Sequence, residues 1–224
     1  MRKSMKWLAI TIAFGIAASI LLILPLRWFD PVTSAFMLRD DSGRVPPMFQ
    51  WVEWEQLGPS IPLAAVASED QRFLQHPGID FHSIQKSLET AENGGRLRGA
   101  STITQQLAKN LFLSPSRSLL RKGIEAYLAV VVEACLPKRR ILEIYLNIVE
   151  LGPGIYGAGA ASRHYFGKRA AELTDSEAAL LAAVLPNPSR LNVAAPSPYV
   201  RERQKWITGQ MQRLRREAWL SGLR

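Results

Sequence analysis

The most informative charge feature of the chain is a stretch without acidic residues. Between Glu92 and Glu125 no Asp or Glu occurs. Six basic residues lie in the same interval: Arg96, Arg98, Lys109, Arg117, Arg121 and Lys122. Cationic side chains, a glycine-rich loop and a hydroxyl-rich helix start are what a phosphate group needs. This cationic window (residues 93–124) therefore predicts a site for a phosphate-bearing ligand, although a solvated basic surface explains the charge equally well.

Two glutamates could supply acid–base chemistry beside such a site. Glu69 shares a predicted helix face with Val66 and Phe73, so it should border the core. Partial burial makes a carboxylate a better general base near neutral pH. Glu125 lies four residues after Arg121, and for this residue alone a surface ion pair is the simpler explanation.

A base next to a cationic window is the combination required for glycosyl transfer from a diphosphate. Cations stabilise the departing diphosphate, so no acid is needed to protonate a poor alkoxide leaving group. One carboxylate then suffices to deprotonate the attacking hydroxyl, whereas cleavage of a sugar polymer commonly needs two carboxylates that flank the reacting carbon. The residues therefore favour glycosyl transfer over hydrolysis.

The elements that must position these groups begin with a membrane anchor. From Trp7 to Leu26, 20 consecutive residues carry no formal charge, a length that spans a hydrocarbon core of about 30 Å. A cleaved signal peptide has a shorter apolar region. The basic residues before the run are Arg2, Lys3 and Lys6. Because basic flanks stay in the cytoplasm, we predict a cytoplasmic tail (1–6), a transmembrane helix (7–26) and an extracytoplasmic remainder.

Charge and cysteine content narrow the function classes further. The 224 residues suffice for one ordinary domain and include 28 basic and 19 acidic side chains, a net charge of +9. A basic domain near a membrane suits anionic lipid head groups or a phosphate-bearing substrate, and an exported domain rarely meets nucleic acid. The single cysteine, Cys135, excludes an internal disulfide, and the three histidines lack zinc-site spacing.

Most of the chain shows helical patterns, so the predicted fold is mainly α. A Pro- and Trp-rich juxtamembrane connector (27–60) precedes a single domain (61–224). A helix that starts near Pro62 should carry Glu69 and end at His76-Pro77-Gly78.

Later helices follow from capping signals and apolar spacing. Ser101 or Thr102 should cap a helix that runs to about Leu113, and Thr174 begins a capping box. We predict a basic helix over about 199–219, whose basic residues either face the membrane or are solvated, and we favour the solvated arrangement. The helix after Arg117 has apolar positions that we assign to the core: Leu120, Ile124, Tyr127, Leu128, Val131 and Cys135.

Several sequence blocks, in order, resemble motifs of the bacterial peptidoglycan glycosyltransferases. They lie at residues 69–80 (EDxxFxxHxGxD), 99–110 (GxSTITQQLxKN), 121–125 with 141–147, 156–168 and 177–189. The resemblance extends from about residue 60 to 192, and motifs of this length are specific. The short chain with one anchor is similar to the monofunctional members, which lack the second domain of class A penicillin-binding proteins.

This resemblance implies roles for named residues. Glu69 would be the general base that activates the 4-hydroxyl of the acceptor sugar. Glu125 would assist at the donor diphosphate, directly or through a divalent cation such as Mg²⁺ or Mn²⁺. The implied substrate-binding residues are Lys109 and Arg117 for phosphate, Ser101, Thr102, Gln106 and Asn110 in the donor cleft, and Asp70, Arg72 and Phe73 around the base.

The resemblance also implies the substrate and its setting. Lipid II would be polymerised by inverting transfer into a β-1,4 glycan strand, with release of undecaprenyl diphosphate. The fold would be lysozyme-like and two-lobed, with an apolar surface dipping into the inner membrane. Membrane lipids and proteins of cell-wall synthesis or division would be the partners.

Two other functions stay open at this stage, namely a lytic enzyme that cuts existing peptidoglycan and a non-catalytic scaffold that holds lipid-linked precursor. Penicillin acylation is not expected. Ser83-Ile84-Gln85-Lys86 fits the SxxK pattern of transpeptidases, but neither KTG nor SDN follows it.

Overall fold

The computed structural model describes residues 2–95, 101–116, 118–217 and 219–223, and helices dominate these ranges. The α-helices are α1 (Arg2–Ile23), α2 (Trp54–Leu57), α3 (Ser60–Glu69), α4 (Phe81–Glu92), α5 (Ile103–Phe112), α6 (Leu119–Cys135), α7 (Lys138–Ile148), α8 (Gly157–Phe166), α9 (Asp175–Val184) and α10 (Pro198–Arg216). Strands β1 (Met48–Phe49), β2 (Glu150–Gly152) and β3 (Ile155–Tyr156) form a small sheet in the order β1-β3-β2. In it β3 pairs with β1 in parallel and with β2 antiparallel. The prediction of a mainly α fold behind an N-terminal apolar helix is confirmed.

The N-terminal helix is long and apolar enough to cross a membrane. The stretch Met5–Arg27 has 23 residues and a mean hydropathy of 2.5, and it contains the predicted span 7–26. Its C-terminal end contacts the folded domain, since the Tyr127 hydroxyl of α6 donates to Ser19 Oγ at 3.1 Å. Ile23 is fully buried. The anchor therefore packs directly on the domain that it carries.

Two groups of helices form the body of the domain. One group comprises α3, α9 and α10, and the other comprises α5 and α6, while α7 contacts α3 and α5 and so joins the two groups. Buried side chains of α7, such as Leu142 and Tyr145, fill the space between them. The connector is tied to the same core, because the Asn147 side chain bonds both the N–H (2.8 Å) and the C=O (2.9 Å) of Val52.

Helix α3 ends earlier than the sequence predicts. We expected it to continue to residue 78 with Glu69 and Phe73 on one face, but it ends at Glu69. Asp70 leaves the helical conformation, with φ −160° and ψ 73°, because its buried carboxylate is bonded by groups outside the helix, His76 among them. Phe73 therefore lies in a separate 3-10 turn, Phe73–Gln75.

The core assignment for α6 was half wrong. Leu128, Val131 and Cys135 are buried as predicted, whereas Leu120, Ile124 and Tyr127 are exposed, Leu120 to 77%. Helix α5 covers one side of α6, and the other side lies next to the anchor, where Tyr127 meets Ser19. Helical spacing identifies an apolar face but not what covers it.

Arg140 fastens the end of the anchor to the domain. Its guanidinium donates to the carbonyls of Leu26 (2.8 Å) and Phe29 (3.0 Å), and it pairs with Asp30 (2.7 Å) and Glu143 (2.8 Å). The side chain is only 12% exposed, and its bonds to Leu26 and Glu143 are partly buried, whereas those to Phe29 and Asp30 lie at the surface. Arg140 therefore ties the segment that follows the apolar helix to α7.

Replacing Arg140 should weaken this junction measurably. Arg140→Ala leaves the nearly buried Glu143 carboxylate without its cation, and we expect a loss of about 3 kcal/mol in the free energy of unfolding. Arg139→Ala is the matched control, because the neighbouring Arg139 pairs with the exposed Glu55, and it should cost less than about 0.5 kcal/mol. Denaturant unfolding of the full chain in detergent measures both values. Equal losses for the two variants would contradict this role.

Candidate active site

A cleft runs between the two helix groups and consists of three adjoining cavities. Their volumes are about 750, 450 and 230 Å³, and all three are lined by Glu69 and Ser101. We name each cavity after the residues that distinguish it. The α10 cavity has the α10 residues given below, the α4 cavity has His82, Ser83 and Lys86, and the cationic cavity has Lys109, Arg121 and Lys122. The α10 cavity is also lined by Ser68, Gln106, Pro186, Tyr199, Glu202, Arg203 and Trp206. Glu69 thus lies where the three spaces meet.

The Glu69 carboxylate is held by donors from three parts of the chain. Its Oε1 accepts from the Ser68 hydroxyl at 2.7 Å and from Arg203 Nη2 at 3.3 Å, and its Oε2 accepts from Gln106 Nε2 at 2.9 Å. The side chain is 11% exposed. It therefore borders the core, as the sequence predicts, in a fixed orientation and within reach of a ligand in the cleft.

Tyr145 fixes the orientation of the Gln106 amide. Its hydroxyl donates to Gln106 Oε1 at 3.0 Å, which leaves the Gln106 NH₂ group to face Glu69. Burial, together with the charges of Glu69 and Asp70, raises the pKa of Tyr145 well above its usual range. The hydroxyl consequently stays protonated and remains a donor at any working pH.

The opposite end of the cleft is cationic. Glu69, Lys109, Arg121, Lys122 and Glu125 line the cationic cavity together with Ser101, Gln106, Leu185 and Pro186. The two predicted catalytic carboxylates and three predicted cations therefore share one space.

Glu125 is not in the surface ion pair that the sequence favoured. Its side chain is 3% exposed and bonds Arg121 at 2.6 Å as well as Lys122. Lys122 also donates to Ser101 Oγ at 2.8 Å. A buried carboxylate thus holds two cations in place at the cavity wall, where their charges remain available to a ligand.

Lys109 is the third cation of this cavity and has an apolar neighbour. Its ammonium lies 5.3 Å from the centre of the Phe36 ring. Burial is the main reason that the pKa of Lys109 lies below its usual value, and the nearby Arg121 and Lys122 charges lower it further while Glu125 and Glu69 act against them. Its charge is therefore poorly solvated, which strengthens its attraction for an anion that enters the cavity.

Asp70 joins the first motif to the second behind the cleft wall. Its carboxylate contacts His76 Nε2 at 2.9 Å and accepts from the backbone N–H of Ile103 at 3.0 Å. Next to this N–H, Thr102 caps α5 in a capping box with Gln105. The Thr102 hydroxyl also donates to the Gly78 carbonyl at 2.5 Å. These bonds set the end of α3 against the beginning of α5.

The structure brings most of the predicted site residues to the cleft. Thr102, Asp70 and Arg72 line the α4 cavity, where Arg72 lies 3.8 Å from Asp80. Phe73 and Asn110 are buried and line none of the three cavities. Arg117 lies outside the described residues, as do Arg96 and Arg98 of the cationic window.

The sequence interpretation missed the contribution of α10. We expected a solvated helix, but one of its faces lines the cleft through Tyr199, Arg203 and Trp206. Arg203 donates to Ser68 Oγ at 2.9 Å besides its contact with Glu69. The spacing of the three residues (i, i+4, i+7) was a visible signal of a shared face. Nothing local indicated that this face meets Glu69, 134 positions earlier in the chain.

The described residues do not offer a metal site of their own. No group of three or more His, Cys, Asp or Glu side chains within them could hold an ion. Glu125, which the resemblance linked to a divalent cation, is already bonded by Arg121 and Lys122. Positive charge in this cavity comes from basic side chains.

Comparison with known proteins identifies the family of the chain. A family model described as transglycosylase matches residues 42–212. A biosynthetic peptidoglycan transglycosylase of Shewanella oneidensis is 48% identical over 219 residues, which is 95% of this chain and 93% of the relative. The Aeromonas hydrophila protein of the same name is 47% identical over 219 residues (95% and 92%), and that of Xylella fastidiosa is 47% identical over 209 residues (90% and 86%). The chain belongs to the transglycosylase family.

Proposed function

We propose that this chain polymerises the glycan strands of peptidoglycan at the membrane, with lipid II as its substrate. The observation that carries the proposal is the cationic cavity, in which Glu69 faces Lys109, Arg121 and Lys122 across one space. A base and a group of cations so arranged suit transfer of a sugar from a diphosphate. The polymer is inferred from the names of relatives that are 47–48% identical to this chain.

In the proposed reaction Glu69 acts as the general base. Its carboxylate takes the proton of the attacking 4-hydroxyl, whose oxygen forms a bond to the anomeric carbon of the donor sugar. The bond from that carbon to the diphosphate oxygen breaks on the opposite side, so the configuration at the carbon inverts. The lipid diphosphate leaves with the bonding electron pair, and Glu69 then passes its proton to water.

The cations would stabilise the charge that develops on the leaving group. Lys109 and Lys122 present ammonium groups to the cavity, and Arg121 adds a guanidinium suited to phosphate oxygens. Glu125 would act through Arg121 and Lys122, because its oxygens bond both and limit their mutual repulsion. These groups are in place before the substrate arrives, so little reorganisation accompanies the reaction.

The membrane setting follows from the anchor and its flanks. The basic residues before the apolar run favour a cytoplasmic N-terminus, which would place the cleft outside the cytoplasm. The exposed apolar face of α6, with Leu120 and Ile124, lies beside the anchor and would touch the lipid surface. A lipid-linked diphosphate could then reach the cationic cavity while its hydrocarbon chain stays in the bilayer.

Removal of the proposed base should abolish polymerisation. Glu69→Gln keeps the size of the side chain but cannot take a proton, and we expect strand synthesis from labelled lipid II to fall at least about 100-fold. Gel analysis of lysozyme-sensitive polymer measures this, and thermal unfolding verifies that the variant is folded. Glu89→Gln, at an exposed position of α4 outside all three cavities, should retain activity.

Three outcomes would contradict the proposal. Substantial polymerisation by Glu69→Gln would remove Glu69 as the base. Release of muropeptides from isolated sacculi by the unaltered chain would indicate a lytic enzyme instead. Binding of lipid II without any turnover would indicate a scaffold.

The lowered pKa of Lys109 predicts a particular pH dependence. Because the pKa lies below the usual value of 10.5, Lys109 loses its charge at a lower pH than an exposed lysine as the pH rises. The value of kcat/KM should therefore fall on the alkaline side below pH 10.5. In Lys109→Arg the side chain stays charged, so this fall should move to higher pH whatever the absolute rate. An alkaline limb at the same pH in both proteins would show that Lys109 is not the group responsible.

A further inference from the structure

Helix α10 presents two aromatic side chains to the cleft that the proposed chemistry does not use. Tyr199 is 57% exposed and Trp206 is 48% exposed, and both line the α10 cavity. They are seven residues apart, two helical turns, so they lie on one face of α10. Arg203 lies between them and is held by its bonds to Ser68 and Glu69. The two rings are therefore carried on a helix that is fixed to the proposed base.

Trp206 occupies a central place in the cleft. It lines both the α10 cavity and the α4 cavity, and Glu69 lines the same two spaces. Lys109, Arg121 and Lys122 line the cationic cavity on the remaining side of Glu69. If the diphosphate of the donor binds these cations, the side of Glu69 that faces Trp206 stays open. The acceptor, which supplies the attacking hydroxyl, would then bind on that side.

The composition of the α10 cavity favours a saccharide over a lipid chain. Apart from Pro186, its other walls carry hydroxyl, amide, carboxylate and guanidinium groups: Ser68, Glu69, Ser101, Gln106, Glu202 and Arg203. A hydrocarbon chain would bury these groups without hydrogen-bond partners, at a cost of about 1–3 kcal/mol for each. A pyranose ring has polar edges for such groups and an apolar C–H face for an aromatic ring. The exposed apolar residues of the anchor and α6 offer a separate surface to lipid.

We propose that Tyr199 and Trp206 form a saccharide-binding platform for the sugar chain that supplies the attacking hydroxyl. Pyranose rings stack on the two aromatic side chains, and this contact places the 4-hydroxyl at Glu69. The inference rests on the proposed function and deepens it, because it assigns the acceptor-side sugars to α10. The two aromatic side chains bind and align the substrate but take no part in proton transfer.

Kinetics of the full chain in detergent test this platform. Trp206→Ala should raise KM for lipid II roughly ten-fold, the loss expected for one aromatic contact, while kcat changes less than about three-fold. Trp206→Phe should restore KM because it keeps an aromatic face, whereas Trp206→Leu should not, although it keeps apolar bulk. Phe81→Ala, at an exposed aromatic residue that lines none of the three cavities, is the matched control.

A binding measurement separates this inference from the proposed function. Calorimetry with a soluble tetramer of N-acetylglucosamine on Glu69→Gln should show binding that Trp206→Leu abolishes and Trp206→Phe retains. Absence of polymer from the unaltered chain would refute the proposed function. Binding of the tetramer does not depend on polymer synthesis, so it would still test the platform. Unchanged KM and unchanged tetramer binding in Trp206→Ala and Trp206→Leu would overturn the platform and leave the role of Glu69 intact.

Discussion

The active cleft depends on one buried carboxylate that is not itself the proposed base. Asp70 bonds His76 and the first N–H of α5, so it ties the end of α3 to the helix that carries Gln106 and Lys109. Glu69, its immediate neighbour, is the last residue of α3. Because Asp70 is turned inward, Glu69 is left at the cleft facing the cations. A buried ionic group without partners is costly, so the packing that satisfies Asp70 also determines where the base lies.

A second constraint is that several cations must stay close together before any anion arrives. Lys109, Arg121 and Lys122 repel one another, and this repulsion adds to burial, the main cause, in lowering the pKa of Lys109. Glu125 offsets it by bonding Arg121 and Lys122 from the buried side. The remaining positive charge attracts an anionic ligand. Holding these cations close together lowers the folding stability of the chain somewhat.

Helix caps and helix limits were predictable from the sequence because they depend on residues that are close together in the chain. Thr174 begins the predicted capping box, Thr102 is the one of the two predicted candidates that caps α5, and helix α10 lies within about three residues of its expected limits. The grouping of Glu69 with the cationic window was predictable because a base and a group of cations together suit transfer from a diphosphate.

Other features depend on contacts between distant parts of the chain. The sequence placed Phe73 on the helix of Glu69, but the tertiary bonds of Asp70 end that helix first. Leu120 and Ile124 have core spacing, yet no element among the described residues covers them beside the anchor. The face of α10 with Arg203 and Trp206 is periodic, but its neighbours across the cleft cannot be read from periodicity.

The most direct test of the account is a structure of the full-length Glu69→Gln variant with lipid II bound in detergent or nanodiscs. The account predicts diphosphate oxygens within hydrogen-bond distance of Lys109 and Lys122, and a sugar 4-hydroxyl that contacts the side chain at position 69. A donor diphosphate bound outside the cationic cavity, or a second, acceptor lipid II whose 4-hydroxyl points away from position 69, would contradict it.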